Sequence, residues 1–330
     1  MNEVLIFFIL FCISFVSVAL LTPPFIRRMY DQGLIGKDMN KYSKPPVAEL
    51  GGVVVFLGFS LSLFIGMFLV SYFNFIQLDM FVIFASFCTL SIITFIGVID
   101  DIIGWKNGIR QWQHFLIPII ASIPLVVAFN GVFIMPIPFF GYIDFWIFYP
   151  LIIIPIAITG ASNAVNMLAG FNGLEAGQGI IITAALTIIA FLSFQFTAVI
   201  FGIAMIGALI AFLKFNWTPA KIFGGDSLTL MIGANLAIMS IIGNIQIYGG
   251  LLILLFVVEF IFKAKHRFKS ECFGIPNKDG TLSANPKGGS LTQWIMKRWE
   301  GTLTEEQVVF LILGAQLIIA LVVILLFFIK

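Results

Sequence analysis

The chain has 330 residues, of which 60% are apolar and 10% charged, with a formal net charge of +2, and its mean hydropathy is +1.09. Soluble domains carry about 25% charged residues, so an ordinary water-soluble fold is excluded. Three widely spaced cysteines and two histidines give neither a disulfide framework nor a zinc or His-rich metal site.

A helix needs about 20 residues to cross roughly 30 Å of hydrocarbon. Ten apolar runs are candidates, at 4–22, 50–71, 80–99, 113–129, 146–161, 179–195, 197–213, 227–244, 246–263 and 307–329. The fifth is short, and hydropathy alone hardly separates the sixth from the seventh. The first reads as a span, because Met1-Asn2-Glu3 lacks the basic leader of a cleaved signal. The expected fold is all-α: a polytopic membrane protein of about ten transmembrane helices, one domain over 1–330. Its longest polar stretch, 263–305, is expected to be a loop with one short interfacial helix at Leu291–Trp299, where Trp294 and Trp299 flank Lys297 and Arg298. Thr304-Glu305-Glu306-Gln307 predicts a capping box opening the last span.

Seventeen of the eighteen lysines and arginines fall in alternate gaps, at 23–48, 100–112, 161–178, 214–226 and 263–305, Lys330 being the exception. Cations are retained on the cytoplasmic side during insertion, so these gaps should form a cytoplasmic face, with both termini outside. Most chemically capable side chains share it. Asn216-Trp217-Thr218 matches a glycosylation sequon but falls on that face, where it would not be modified.

Four clusters on this face could carry chemistry. Asp100 and Asp101 close the third run; adjacent carboxylates suit a hard cation such as Mg²⁺ or form a hydrated end-of-span pair. Asn163 and Asn166, three apart, share a helical face, and Gly170, Gly173 and Gly177 would break the helix around Asn172 and allow close backbone approach to a ligand. Asparagine offers an amide oxygen to a metal and an amide donor to a sugar or base. Gly224-Gly225-Asp226 precedes a span, where helix N-terminal amides favour phosphate, although Asp226 could also be a plain N-cap. Lys263, Lys265, His266, Arg267 and Lys269 crowd one loop, as a diphosphate clamp or as positive-inside topology. Together these make a phosphoryl-transfer inventory. A transporter would concentrate such residues near the bilayer midplane, and an intramembrane aspartyl protease needs them inside helices.

The segments NAVNMLAGFNGLEAGQ and FNWTPAKIFGGDS, with the aspartate pair and the earlier GKDMNK and PVAELGG, resemble the polyprenyl-phosphate N-acetylhexosamine-1-phosphate transferases (glycosyltransferase family 4). The resemblance runs from about Leu34 to Leu282 and is strongest to the dolichyl-phosphate GlcNAc-1-phosphate transferase branch of eukaryotes and archaea. Bacterial members typically have Asp-Gly where this chain has Ala169-Gly170. It implies a ten-span fold and transfer of GlcNAc-1-phosphate from UDP-GlcNAc to dolichyl (polyprenyl) phosphate, with release of UMP. This is the first membrane step of lipid-linked oligosaccharide assembly for N-glycosylation; another UDP-HexNAc or a cell-envelope polymer is the alternative.

The same resemblance implies a Mg²⁺ cofactor, replaceable by Mn²⁺, held by Asn166 and Asp226, with Asp100 and Asp101 as the catalytic pair. Phe223 would stack on uracil, Asn172 near Met39 would read the base, and Glu49 would lie near the nucleotide pocket. Asn163, His266 and Arg267 complete the implied substrate contacts. A homodimer is implied, in the cell membrane of an archaeon or the endoplasmic reticulum of a eukaryote. Two places depart from the pattern. His114 stands where a lysine is usual, and Ser270–Gly274 stands where the eukaryotic branch has a His-Arg-Ile-Pro-Arg element.

Overall fold

The computed structural model describes residues 3–73, 78–104, 111–129, 133–137, 141–286 and 288–329, without the side chains at 111–112, 114–115 and 136–137. In chain order, α1 (Glu3–Gln32) leads through a two-stranded ribbon, β1 (Ile35–Lys37) and β2 (Pro46–Ala48), to α2 (Gly51–Phe73), α3 (Met80–Ile103), α4 (Gln111–Ala121) and α5 (Ile123–Ala128). A hairpin of β3 (Ile134–Ile137) and β4 (Gly141–Asp144) precedes α6 (Ile154–Met167), which is entered through a π turn at Tyr149–Ile153. Then follow α7 (Leu174–Leu192), α8 (Phe196–Asn216), α9 (Gly225–Ile242), α10 (Gln246–Leu252) and α11 (Leu254–Lys265). The short pair β5 (Ile275–Pro276) and β6 (Leu282–Ser283), then α12 (Leu291–Arg298) and α13 (Glu305–Ile329), complete the chain. The three ribbons are all antiparallel.

Among the described residues, eight helical segments are individually long and apolar enough to cross a membrane, and α10 with α11 makes a ninth span bent by 53°. The remaining expected run, 113–129, is helical but divided between α4 and α5. Pro124 lies at the start of α5 and has no N–H with which to continue the helix. At the bend in the ninth span, Gln316 of α13 donates to the Leu252 carbonyl at 3.0 Å. A carbonyl released from the helical ladder has no water to turn to inside a bilayer. Large apolar side chains such as Phe8, Leu61, Phe95, Ile318 and Leu325 lie exposed on the outer faces. The protein is therefore an all-α, multi-pass membrane protein.

α9 is the axial helix: every residue from Ser227 to Ile241 is buried. α2, α3, α6, α7 and α8 pack around it. Small residues permit the closest approaches; a Cβ at Gly97 of α3 would lie 2.5 Å from Ser227 Cα. Buried hydroxyls join other helices, Ser14 donating to Ala204 O at 2.6 Å and Ser62 to Leu10 O at 2.7 Å. α12 spans the expected interfacial segment, with Ser290 as its N-cap and Trp294 and Trp299 exposed. The predicted capping box forms: Thr304 N–H donates to Gln307 Oε1 at 2.9 Å and Gln307 N–H to Thr304 Oγ1 at 3.4 Å.

Candidate active site

The ends of α3, α6, α8 and α11 and the starts of α7 and α9 meet around a cleft of about 980 Å³. The β1–β2 ribbon forms part of its wall. Phe223 N–H donates to Ala48 O at 2.8 Å, and the N–H groups of Gly51 and Gly52 donate to Phe223 O and Gly224 O, both at 2.9 Å. The glycine turn before α9 is thus stitched to the segment after β2.

Asp101 is committed to that turn. Its carboxylate accepts from Asp226 N–H at 2.7 Å, from Ser227 N–H at 3.1 Å and from the Ser227 hydroxyl at 2.7 Å. The first amides of a helix have no intrahelical partner and carry the positive end of its dipole, so a carboxylate supplied by α3 satisfies them. Gly225 makes room for it: its φ is +72°, and a Cβ there would lie 2.6 Å from Asp101 Cγ. Both adjacent carboxylates line the cleft, but Asp101 is the one taken up in capping α9.

Asp226, in the first turn of α9, accepts from Asn166 Nδ2 at 3.1 Å, and Asn166 Oδ1 accepts from the Thr229 hydroxyl at 3.0 Å. Asn166, Asp226, Thr229 and Asp100 all line the cleft. Among the described residues no three His, Cys, Asp or Glu side chains converge as a metal cage. Mg²⁺ does not need one: it keeps several waters and takes one or two carboxylates together with substrate phosphates. The oxygen donors of Asp226 and Asn166 fit that chemistry. So does the charge balance, since seven carboxyl side chains line the cleft against two lysines, Lys37 and Lys263, among the described residues.

The loop between α6 and α7 forms the next wall. Gly170 and Gly173 turn it with φ of +108° and +80°, whereas Gly177, expected to break the helix, lies inside α7. Asn172 lines the cleft but is buried, its Nδ2 donating to Asp38 Oδ2 at 2.8 Å and to Glu305 Oε2 at 3.4 Å. Glu305 also accepts from Asn172 N–H at 2.9 Å and pairs with Lys41 at 2.7 Å. Asn40 bridges the same region, donating to Gly170 O at 2.8 Å and accepting from Gly274 N–H at 3.0 Å. Asn216, the sequon asparagine, is buried and bonded to Gly173 N–H and Ile222 O.

Met39, Glu49 and Phe223 line the cleft as well. Partial burial, and then the nearby Asp101 charge, push the Glu49 carboxyl above its ordinary value. Cys272 is in the wall, and its burial pushes the thiol up to about 11.

Three expected contacts do not line the cleft. Asn163 donates to Thr159 O of its own helix at 2.9 Å; three residues before Asn166, it sits about 4.5 Å deeper along α6. His266 and Arg267 are exposed. α11 ends at Lys265 and the chain leaves with φ of +53° at Arg267, while His266 Nδ1 lies 2.9 Å from Phe262 O. The cation of that cluster on the cleft wall is Lys263, in the last turn of α11. The side chain of His114 lies outside the described residues. Asp38, Thr229 and Glu305 join the site through their hydrogen bonds to Asn172 and Asn166, without a residue-level signal in the sequence. Asp38 belongs to the GKDMNK segment, while Glu305 is hidden inside a capping motif.

Residues 83–244 match the family described as Glycosyl transferase family 4. A protein of Saccharolobus solfataricus is 37% identical over 319 residues, covering 95% of this chain and 94% of the relative. One of Sulfolobus acidocaldarius is 36% identical over 317 residues, covering 94% and 92%. Both carry the provisional name UDP-N-acetylglucosamine–dolichyl-phosphate N-acetylglucosaminephosphotransferase. A phospho-N-acetylmuramoyl-pentapeptide-transferase of Halalkalibacterium halodurans is 31% identical over 281 residues, 78% of this chain and 84% of that one. With relatives aligned along nearly its whole length, and an acidic cleft built at the ends of its helices, the chain belongs to glycosyl transferase family 4.

Proposed function

We propose that this protein transfers GlcNAc-1-phosphate from UDP-GlcNAc to dolichyl (polyprenyl) phosphate, forming dolichyl-diphosphate-GlcNAc and UMP at the cytoplasmic face of the membrane. The observation that carries this reading is the meeting of Asp100, Asn166 and Asp226 in one acidic cleft, in a chain that aligns over 95% of its length with a relative named for that reaction.

Asp226 and Asn166 would hold Mg²⁺, or Mn²⁺ in its place; when bound, the cation offsets the charge of the diphosphate. An oxygen of the lipid phosphate attacks the β-phosphorus in line, and the bond from that phosphorus to the oxygen of the α-phosphate breaks, so UMP leaves. A phosphate monoester has a second pKa of about 6, so the nucleophile is already deprotonated at neutral pH. Asp100 therefore acts by charge and position, while Asp101 keeps the α9 turn in register. Phe223 and the segment around Met39 supply the surface for the base. Placement of the polar groups at helix ends, away from the bilayer midplane, favours an interfacial enzyme over a transporter. The cations clustered at these same ends support the cytoplasmic orientation.

Purified protein incubated with dolichyl phosphate, Mg²⁺ and sugar-labelled UDP-GlcNAc should move label into the organic phase with stoichiometric UMP. Release of UDP in place of UMP would overturn the mechanism. Transfer from a different UDP-HexNAc alone would move the sugar assignment.

A further inference from the structure

Lys263 and Glu259, one helical turn apart at the end of α11, have no part in the transfer chemistry assigned to Asp100, Asn166 and Asp226. Glu259 is completely buried. Its carboxylate accepts from Leu291 N–H at 2.6 Å, lies 3.6 Å from the Cys272 thiol, and lies 3.6 Å from the Lys263 ammonium. A buried carboxylate is costly unless it is paired and hydrogen-bonded, and the chain from Cys272 to Leu291 supplies those partners. Lys263 also donates to the carbonyl of Met167, the residue after Asn166, and lines the cleft beside it. An ammonium has three N–H donors; the Met167 carbonyl, the Glu259 carboxylate and the Cys272 sulfur surround it, and the contact to sulfur, a weak acceptor, is the one a phosphoryl oxygen would replace.

We propose that Lys263 is a substrate-binding cation, positioned by Glu259, that donates to phosphoryl oxygens entering the cleft. This rests on the phosphotransferase reading above. Carboxylates outnumber lysines in the lining, so a polyanionic substrate needs every cation the wall offers. A lysine serves phosphate as a compact point charge. Its neighbour on the lining, Met167, adjoins a proposed metal ligand, which puts the ammonium beside the site where the diphosphate must lie. The accepted group is either the diphosphate of the nucleotide sugar or the phosphate of the lipid; both present the same oxygens.

Replacing Lys263 alone would strand the buried Glu259 charge, so the test uses Glu259→Gln as its background. KM for UDP-GlcNAc, KM for dolichyl phosphate and the Mg²⁺ requirement are measured in wild type, Glu259→Gln, Glu259→Gln/Lys263→Met and Glu259→Gln/Lys263→Arg. Against Glu259→Gln, the Met variant should raise one KM by roughly ten-fold or more, and the Arg variant should recover part of it. A rise for UDP-GlcNAc assigns the diphosphate, and a rise for dolichyl phosphate assigns the lipid. Unchanged KM for both, or a change confined to the Mg²⁺ requirement, would reduce Lys263 to a strut for Met167 and overturn the proposal. Glu259→Gln/Lys263→Gln covers the case in which the Met variant does not fold: an unaltered KM for both substrates would again overturn it. Lys297→Met, at an exposed position of α12, controls for the loss of any cation. Absence of label transfer by wild type would instead strike the phosphotransferase reading itself.

Discussion

The carboxylate of Asp101 accepts from the Ser227 N–H at 3.1 Å and from the Ser227 hydroxyl at 2.7 Å, bonding the last turn of α3 onto the first turn of α9. Asp100, its immediate neighbour, lines the cleft. One residue of separation turns a helix by about 100°, which is why two chemically identical side chains take different work.

The two aspartates should therefore fail differently. Asp101→Ala removes a cap and should cost about 1–2 kcal/mol of stability, read as a lower thermal midpoint in detergent together with lost activity. Asp100→Asn should leave that midpoint unchanged and lower kcat by about 10²–10³-fold. If kcat of Asp100→Asn recovered at high pH, a general-base role would replace the electrostatic one.

Asp226→Ala and Asn166→Ala should each abolish metal-dependent turnover while the protein stays folded and monodisperse in detergent. Chelation of wild type by EDTA should give the same loss, reversed by added Mg²⁺. Near-wild-type turnover of Asp226→Ala would remove Asp226 as a metal ligand.

Gly225→Ala tests the turn itself. The added methyl meets both a φ of +72° and the Asp101 carboxyl group. A left-handed conformation costs a non-glycine residue about 1–2 kcal/mol, and displacement of Asp101 adds the loss of its cap. Thermal unfolding should shift by at least as much as in Asp101→Ala. A midpoint equal to wild type would show that the turn can relax.

Glu49 should leave a signature in pH. Burial and the Asp101 charge raise its carboxyl. The folded state therefore holds the proton more tightly than the unfolded chain does. That contribution is fully present below the unfolded value and is lost as pH rises through the folded one. Glu49→Gln should then be more thermostable than wild type near pH 7, and the difference should vanish below about pH 4.5. A difference that instead grows on acidification would reverse the sign of the shift.

Much of the architecture was legible along the chain. The ten apolar runs are all helical, because a span must satisfy its own backbone and hydropathy records that requirement directly. The division of the fourth run, the bend at Leu252 and Ile253, and the placement of Gly177 inside α7 were not legible. Each depends on a neighbouring helix, as Gln316 of α13 does for Leu252.

For the site, residue types, their order along the chain and the family resemblance together pointed to Asp100, Asp101, Asn166, Asn172 and Asp226, since hard-cation and phosphate chemistry draws on few side chains. All five line one cleft. Only the tertiary structure decided which carboxylate caps α9, that Asn172 is held by Asp38 and Glu305 across more than 130 residues of sequence, and that Lys263 lines the cleft while His266 and Arg267 do not. Sequence fixes what each side chain can do, but where α11 ends, and which element packs against a given face, decides what it meets.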